Sequence, residues 1–166
     1  MITEIKKPLM VESELLAQYV AFKLGKCSHL KLQKLLYYIQ GFHLARFDNP
    51  IIDEDFEAWV HWPVLRSLWR WLKDKSVLYN DLIYKCGKEE KHIQQVMESS
   101  LSEEQIEWID EVIRVYWKFD WSQLETLTHK EEPWIRARWD CDPGDLCKNI
   151  IPKEVMHSFF KSKIYG

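Results

Sequence analysis

The sequence predicts a mostly α fold: a compact single-domain helical bundle of about six to seven helices over residues 1–166, with one small two- or three-stranded β element. Two observations carry this. Apolar residues recur at helical spacing in several separate runs, and serine, aspartate and proline stand where those runs need a start. With 46% apolar and 30% charged residues, a chain of 166 residues can bury a core and keep a polar surface.

Ser13 is placed to cap a first helix through Leu15, Leu16, Tyr19, Val20 and Phe22, with Gly25 as its stop. Ser28 caps a second, in which Leu32, Leu35, Leu36, Ile39 and Phe42 form a buried stripe up to about Phe47. An adjacent stripe of Lys31, Lys34, Tyr38 and Gly41 suits a close neighbour. Asp48, Asn49 and Pro50 make a turn, followed by one or two short strands or an irregular connection from Ile51 to Val60. Pro63 is suited to the first turn of a third helix, with Leu65, Leu68, Trp69 and Leu72 inward and Arg66, Arg70 and Lys73 on another stripe. Tyr79 to Tyr84 could add a strand, and Cys86 to Ser100 reads as a mobile polar connection. Ser102 and Gln105 form a capping box for a helix expected to be central, running to Phe119 with two apolar stripes. Asp120, Pro133 and Pro152 start three more, ending near Leu127, Arg138 and Lys161.

Composition removes several function classes. The net charge of −3 argues against a strongly basic nucleic-acid protein. The charge is uneven, however: no acidic residue occurs from Leu15 to Phe47, and Asp48, Asp53, Glu54, Asp55 and Glu57 follow abruptly, so the two segments could neutralise each other. The longest apolar-looking stretch, Leu35 to Ala45, is too short for a membrane span, and Glu4, Lys6 and Lys7 occupy the place of a signal's hydrophobic block. Four cysteines are too sparse for a disulfide scaffold, which points to a reducing cytoplasm.

Five glycines, at 25, 41, 87, 144 and 166, cannot be arranged into a P-loop or a dinucleotide fingerprint. Nucleophile-elbow and zinc-protease patterns are also missing. Cys27 or Cys86 could in principle pair with a distant histidine, but no spacing supports a nucleophilic pair, and inert thiols are the expectation. Cys141, Cys147, His129 and His157 are zinc-ligand types without the short paired spacing of a structural site. Glu131 with Glu132, and Asp53 with Asp55, read as solvated carboxylates rather than an acid/base pair. No catalysis, metal or cofactor is expected.

In order along the chain stand Lys31-Leu32-Gln33-Lys34-Leu35-Leu36-Tyr37-Tyr38, then Glu57-Ala58-Trp59, Pro63-Val64, and His129 through Pro133-Trp134 to Ala137-Arg138. This sequence of motifs resembles the Panacea, or SocA-like, antitoxin domain family over nearly the whole chain. It departs at Trp62, where the family's pattern has glycine before proline-valine, so the turn and nearby surface are remodelled. The resemblance implies a phage- or mobile-element-associated protein that neutralises a toxin encoded nearby. Neutralisation is by direct binding or, in one branch, by delivery to a protease, and it needs no cofactor.

Leu32, Gln33, Trp59, Pro63, His129, Pro133 and Trp134 carry the motif and read as structural. Trp59 and Trp134 keep an interface role as the alternative, and His129 is expected to cap a helix end. Lys34, Tyr38, His61, Trp62, Arg66 and Arg70 read as partner-binding, because their polar ends should reach solvent or a partner. A small nucleic-acid-binding regulator using the basic helices is the competing reading; five cations followed by an acidic block make a small footprint for it.

Overall fold

The computed structural model describes residues 9–73, 82–83 and 90–166. Helix α1 (Ser13–Leu24) ends at Gly25, whose φ of 76° is a positive value that a glycine adopts without strain. Its N-cap is Glu12 rather than Ser13, whose hydroxyl donates to Glu54 instead. Strand β1 (Lys26–Cys27) leads to α2 (His29–Phe47), where the Ser28 hydroxyl accepts from the Lys31 amide at 3.1 Å and Asp48 closes the helix in a left-handed conformation.

Strand β2 (Phe56–Ala58) pairs with β3 (Pro63–Val64), and α3 (Arg66–Leu72) follows. Pro63 is therefore a strand residue and not a helix start: it lies opposite Ala58 on an edge strand, where a missing N–H leaves no gap inside the sheet. Strand β4 (Leu82–Ile83) pairs with β1; Tyr79 and Tyr84 of the expected strand lie outside the described residues. Where a mobile connection was expected, α4 (Glu90–Ser100) forms, because Ile93 and Met97 sit one turn apart and both are buried. Cys86 and Gly87 lie outside the described residues.

Helix α5 (Glu103–Tyr116) starts in the expected capping box, and α6 (Trp121–His129) in a second one between Asp120 and Gln123. The chain continues with α7 (Glu132–Ala137), β5 (Ile150–Ile151) and α8 (Lys153–Tyr165). Among the described residues this gives eight helices, a three-stranded antiparallel sheet in the order β3-β2-β5, and the two-stranded β1-β4 ladder. The fold is mostly α with a small β element. No helix among the described residues is long and apolar enough to cross a membrane.

The central helix is α2, not α5: 15 of its 19 residues are buried, whereas α5 leaves Val115 exposed and Trp117 follows it outward. Burial on all sides forces each polar side chain of α2 to find a partner. Gln40 accepts from the Ile51 and Ile52 amides and donates to the Ile52 carbonyl, which holds the segment after the turn. His43 Nδ1 contacts the Asn49 carbonyl at 2.7 Å and its Nε2 contacts Gln105 at 3.1 Å, so the neutral ring is the Nδ1–H tautomer.

The close neighbour expected for Gly41 is α8. A Cβ on Gly41 would overlap the Phe160 ring, and Phe160 packs edge-on against Phe42 at 4.9 Å and Tyr37 at 5.7 Å. The acidic block does not neutralise the cations of α2. Asp48 pairs with His157 and Lys161, Asp55 with Lys153, and Glu57 with Arg66. Cys141 and Cys147 form a disulfide, a pairing that their sequence spacing did not announce, and Cys27 is buried.

Candidate functional site

The motif residues, scattered over a hundred positions, converge on the side of α2 that faces α6, α7 and the β2–β3 hairpin. Lys34 and Tyr38 stand one turn apart on α2 and both are 0% exposed. Lys34 Nζ donates to Thr128 Oγ1 at 3.4 Å, near the end of α6. Burial is the chief influence on this ammonium and lowers its pKa from 10.5 to about 7, against the attraction of Glu125 and Glu131. Tyr38 donates its hydroxyl to Glu131 Oε1 at 2.5 Å and stacks on Tyr116 at 4.4 Å. Burial first, and then the Glu131 carboxylate, push its pKa far upward, and the Tyr116 pKa rises to about 12 for the same two reasons.

Glu131 is the N-cap residue of α7 and is 5% exposed, which overturns its reading as a solvated carboxylate. Its second oxygen accepts from Lys163 of α8 at 2.6 Å. One buried carboxylate thus ties α2, α7 and α8 together. Glu132, its sequence neighbour, is exposed.

At the outer edge of this network stands His129, the last residue of α6: its Nε2 donates to the His61 carbonyl, between β2 and β3, at 2.7 Å. The ring stacks on Trp134 at 4.2 Å with planes 14° apart, and Trp134 Nε1 donates to the Trp59 carbonyl at 2.9 Å. Pro133 lies in the first turn of α7, where its missing N–H is harmless. Arg138 lies over the Trp134 ring at 5.2 Å and donates to the Ala58 carbonyl at 2.8 Å. Histidine, proline-tryptophan and alanine-tryptophan are thereby three parts of one joint between α6, α7 and the hairpin.

Gln33 makes the corresponding joint to α3. Its oxygen accepts from the Leu65 amide at 2.9 Å and its nitrogen donates to the Leu65 carbonyl at 3.3 Å, so the side chain pairs with Leu65 as a strand would. The Gln33 nitrogen also reaches His29 Nε2 at 3.2 Å. Leu32 is 2% exposed in the main core.

The six side chains expected to reach solvent divide in two. Lys34, Tyr38 and Trp62 are interior, because helices from the C-terminal third cover the first two, while Trp62 fills a satellite core with Leu30 and Val64 against Trp59, Trp69 and Trp121. His61, Arg66 and Arg70 do reach the surface. The His61 side chain is 56% exposed and pairs with Glu125 at 3.1 Å. Arg66 forms a two-pronged pair with Glu57 at 2.6 and 2.8 Å, which raises the guanidinium pKa and braces α3 against β2. Arg70 is exposed one turn later.

Burial of Lys34 also breaks up the basic stripe that a nucleic-acid surface would need. Lys31 is half-buried and donates to the Trp117 carbonyl at 2.5 Å, and Arg46 lies over Trp108 at 5.1 Å. Sequence reasoning missed Thr128, Glu131 and Lys163 as members of the network. Only the acidic doublet at 131–132 carried a signal, since one of its two carboxylates lies at a helix N-cap beside the motif.

Residues 32–135 match the family model described as antitoxin SocA-like, Panacea domain. The match begins in α2 and ends in α7, so it holds the network except Arg138 and Lys163 and is narrower than the near-complete resemblance read from the motifs. No curated protein and no solved structure matched. Because the matched span is well over half the chain and contains the Gln33, Lys34, Trp59, His129 and Trp134 joints, this protein belongs to the SocA-like Panacea antitoxin family.

Proposed function

We propose that the protein neutralises a toxin encoded beside it by binding that toxin directly, without catalysis. Family membership over residues 32–135 is the observation that carries this reading. The fates of the motif side chains support it. Gln33, Lys34, Tyr38, His129 and Trp134 direct their polar atoms to partners within the chain, which makes them struts of a scaffold. On this reading His61, Arg66 and Arg70 contribute to the toxin-facing surface directly. Lys34, Tyr38 and Trp62 contribute by holding α6, α7 and the hairpin in place.

Coexpression in a growth assay tests this. The chain should restore growth arrested by the product of the adjacent gene, and the two should copurify. Arg70→Glu combined with His61→Ala should weaken the complex while leaving the fold intact, because Arg70 is exposed and His61 contributes chiefly its carbonyl to the joint. Failure of rescue and of copurification would remove the reading.

A further inference from the structure

We infer that α7, the 138–149 segment and β5 form a docking face for a basic partner segment that carries a large apolar side chain, the partner being the toxin of the reading above, on which this inference rests. Among the described residues nine large apolar side chains are exposed, and four of them fall within 135–150: Ile135 at 49%, Trp139 at 82%, Leu146 at 70% and Ile150 at 54%. Concentration in so short a stretch is what distinguishes an interaction surface from ordinary scattered apolar exposure. Tryptophan is also the side chain that most often dominates an interface.

Two of the four, Trp139 and Ile150, border a groove of about 420 Å³ between α7, β5 and the start of α8, with Pro133, Ala137, Pro152 and Val155 also among its walls. That is room for one or two apolar side chains.

The stretch is held rigidly. Arg138, only 7% exposed, donates to the carbonyls of Ala58 at 2.8 Å, Asp142 at 3.1 Å and Asp145 at 2.8 Å. Asn149 donates to the Ala137 carbonyl at 2.9 Å and to Asp140 at 2.6 Å, and the Cys141–Cys147 disulfide closes the intervening loop. A segment tied at so many points presents Trp139 and Leu146 in fixed positions, and a partner that binds there has little ordering entropy to overcome.

Charge selects the occupant. Among the exposed charges of residues 132–154, Glu132, Asp140, Asp142, Asp145 and Glu154 outnumber Arg136 and Lys148, and Asp140 and Arg136 line the groove itself. Arg136 is already matched by Glu132 at 3.5 Å. The acidic rim attracts lysine or arginine, and the apolar floor takes the large side chain between them.

The test uses the full chain and the product of the adjacent gene, read by hydrogen exchange and by affinity at low and high salt. The expected result is slowed exchange over 135–150 in the complex and binding that weakens as salt rises. Trp139→Ser and the pair Asp142→Lys with Asp145→Lys should each lose at least tenfold in affinity, with thermal melting unchanged. Full affinity in both variants, with protection elsewhere, would overturn the docking face and leave the antitoxin reading standing. If the unaltered chain neither binds nor rescues growth, the antitoxin reading fails and the inference falls with it. A self-dimer abolished by Trp139→Ser would make a second copy the occupant and overturn the basic-partner assignment.

Discussion

Replacing Lys34 with methionine should make the protein more stable in mild acid, even though the lysine belongs to the family motif. A buried ammonium whose pKa falls from 10.5 to about 7 costs the folded state roughly 4–5 kcal/mol at pH 6–7. Above pH 7 the folded protein releases this proton, while the unfolded chain keeps it until about pH 10.5. The unfolded chain therefore binds more protons across that window, and stability rises with pH, by about 2–3 kcal/mol between pH 6 and 9.

Methionine matches the lysine stem and orphans nothing. Thr128 Oγ1 still donates to the Glu125 carbonyl at 3.1 Å, Glu131 keeps Tyr38 and Lys163, and Glu125 keeps His61. Urea unfolding of both proteins at pH 6, 7, 8 and 9 should show Lys34→Met ahead by up to roughly 4 kcal/mol at pH 6 and by less than about 2 at pH 9. Parallel pH curves, or a variant less stable than the parent at pH 6, would refute the reasoning. The second result would mean that the attraction of Glu125 and Glu131 outweighs desolvation.

Three further outcomes follow from other buried contacts. Gln33→Leu should lower stability by about 1–3 kcal/mol in urea unfolding, because the Leu65 amide is left buried without a partner while the Leu65 carbonyl keeps the Trp69 amide. Gly41→Val should lower it by at least about 1–3 kcal/mol and raise hydrogen exchange in α8, since the new side chain displaces Phe160. Burial lowers the His43 pKa from 6.5 to about 4, so the unfolded chain binds the extra proton between those values and stability falls on acidification through that range. The loss approaches roughly 3 kcal/mol, and His43→Gln should flatten this part of the pH-stability curve.

Features fixed by neighbouring residues were legible in the sequence. The capping box at Ser102 and Gln105, the cap at Ser28 and the stop at Gly25 all depend on residues three or fewer positions apart or on one backbone angle. Features that need a distant partner were not. Pro63 has the local chemistry of a helix start and becomes a strand residue only because Ala58 lies opposite. The apolar stripe of α4 amounts to Ile93 and Met97 with Val96 half-buried, too narrow to stand out among its charges.

Lys34 and Tyr38 illustrate the same limit at the site. Their amphipathic ends suggested a surface, and what buries them comes from α6, α7 and α8, beginning nearly ninety residues later. The leucine stripe and the motif positions could be read directly, but the joints they form depend on Glu131 and Lys163, which no local pattern connects to α2. The exposed cluster around Trp139 was beyond reach for the opposite reason: sequence gives the apolar side chains without showing which of them the fold leaves uncovered.

The most direct test of the central claim is a calorimetric titration of the purified chain with the purified product of the adjacent gene. Direct neutralisation predicts saturable binding that ends at a fixed molar ratio, with toxin activity lost in step with occupancy. Toxin activity abolished by a small molar fraction of the chain, or no binding at all, would contradict it.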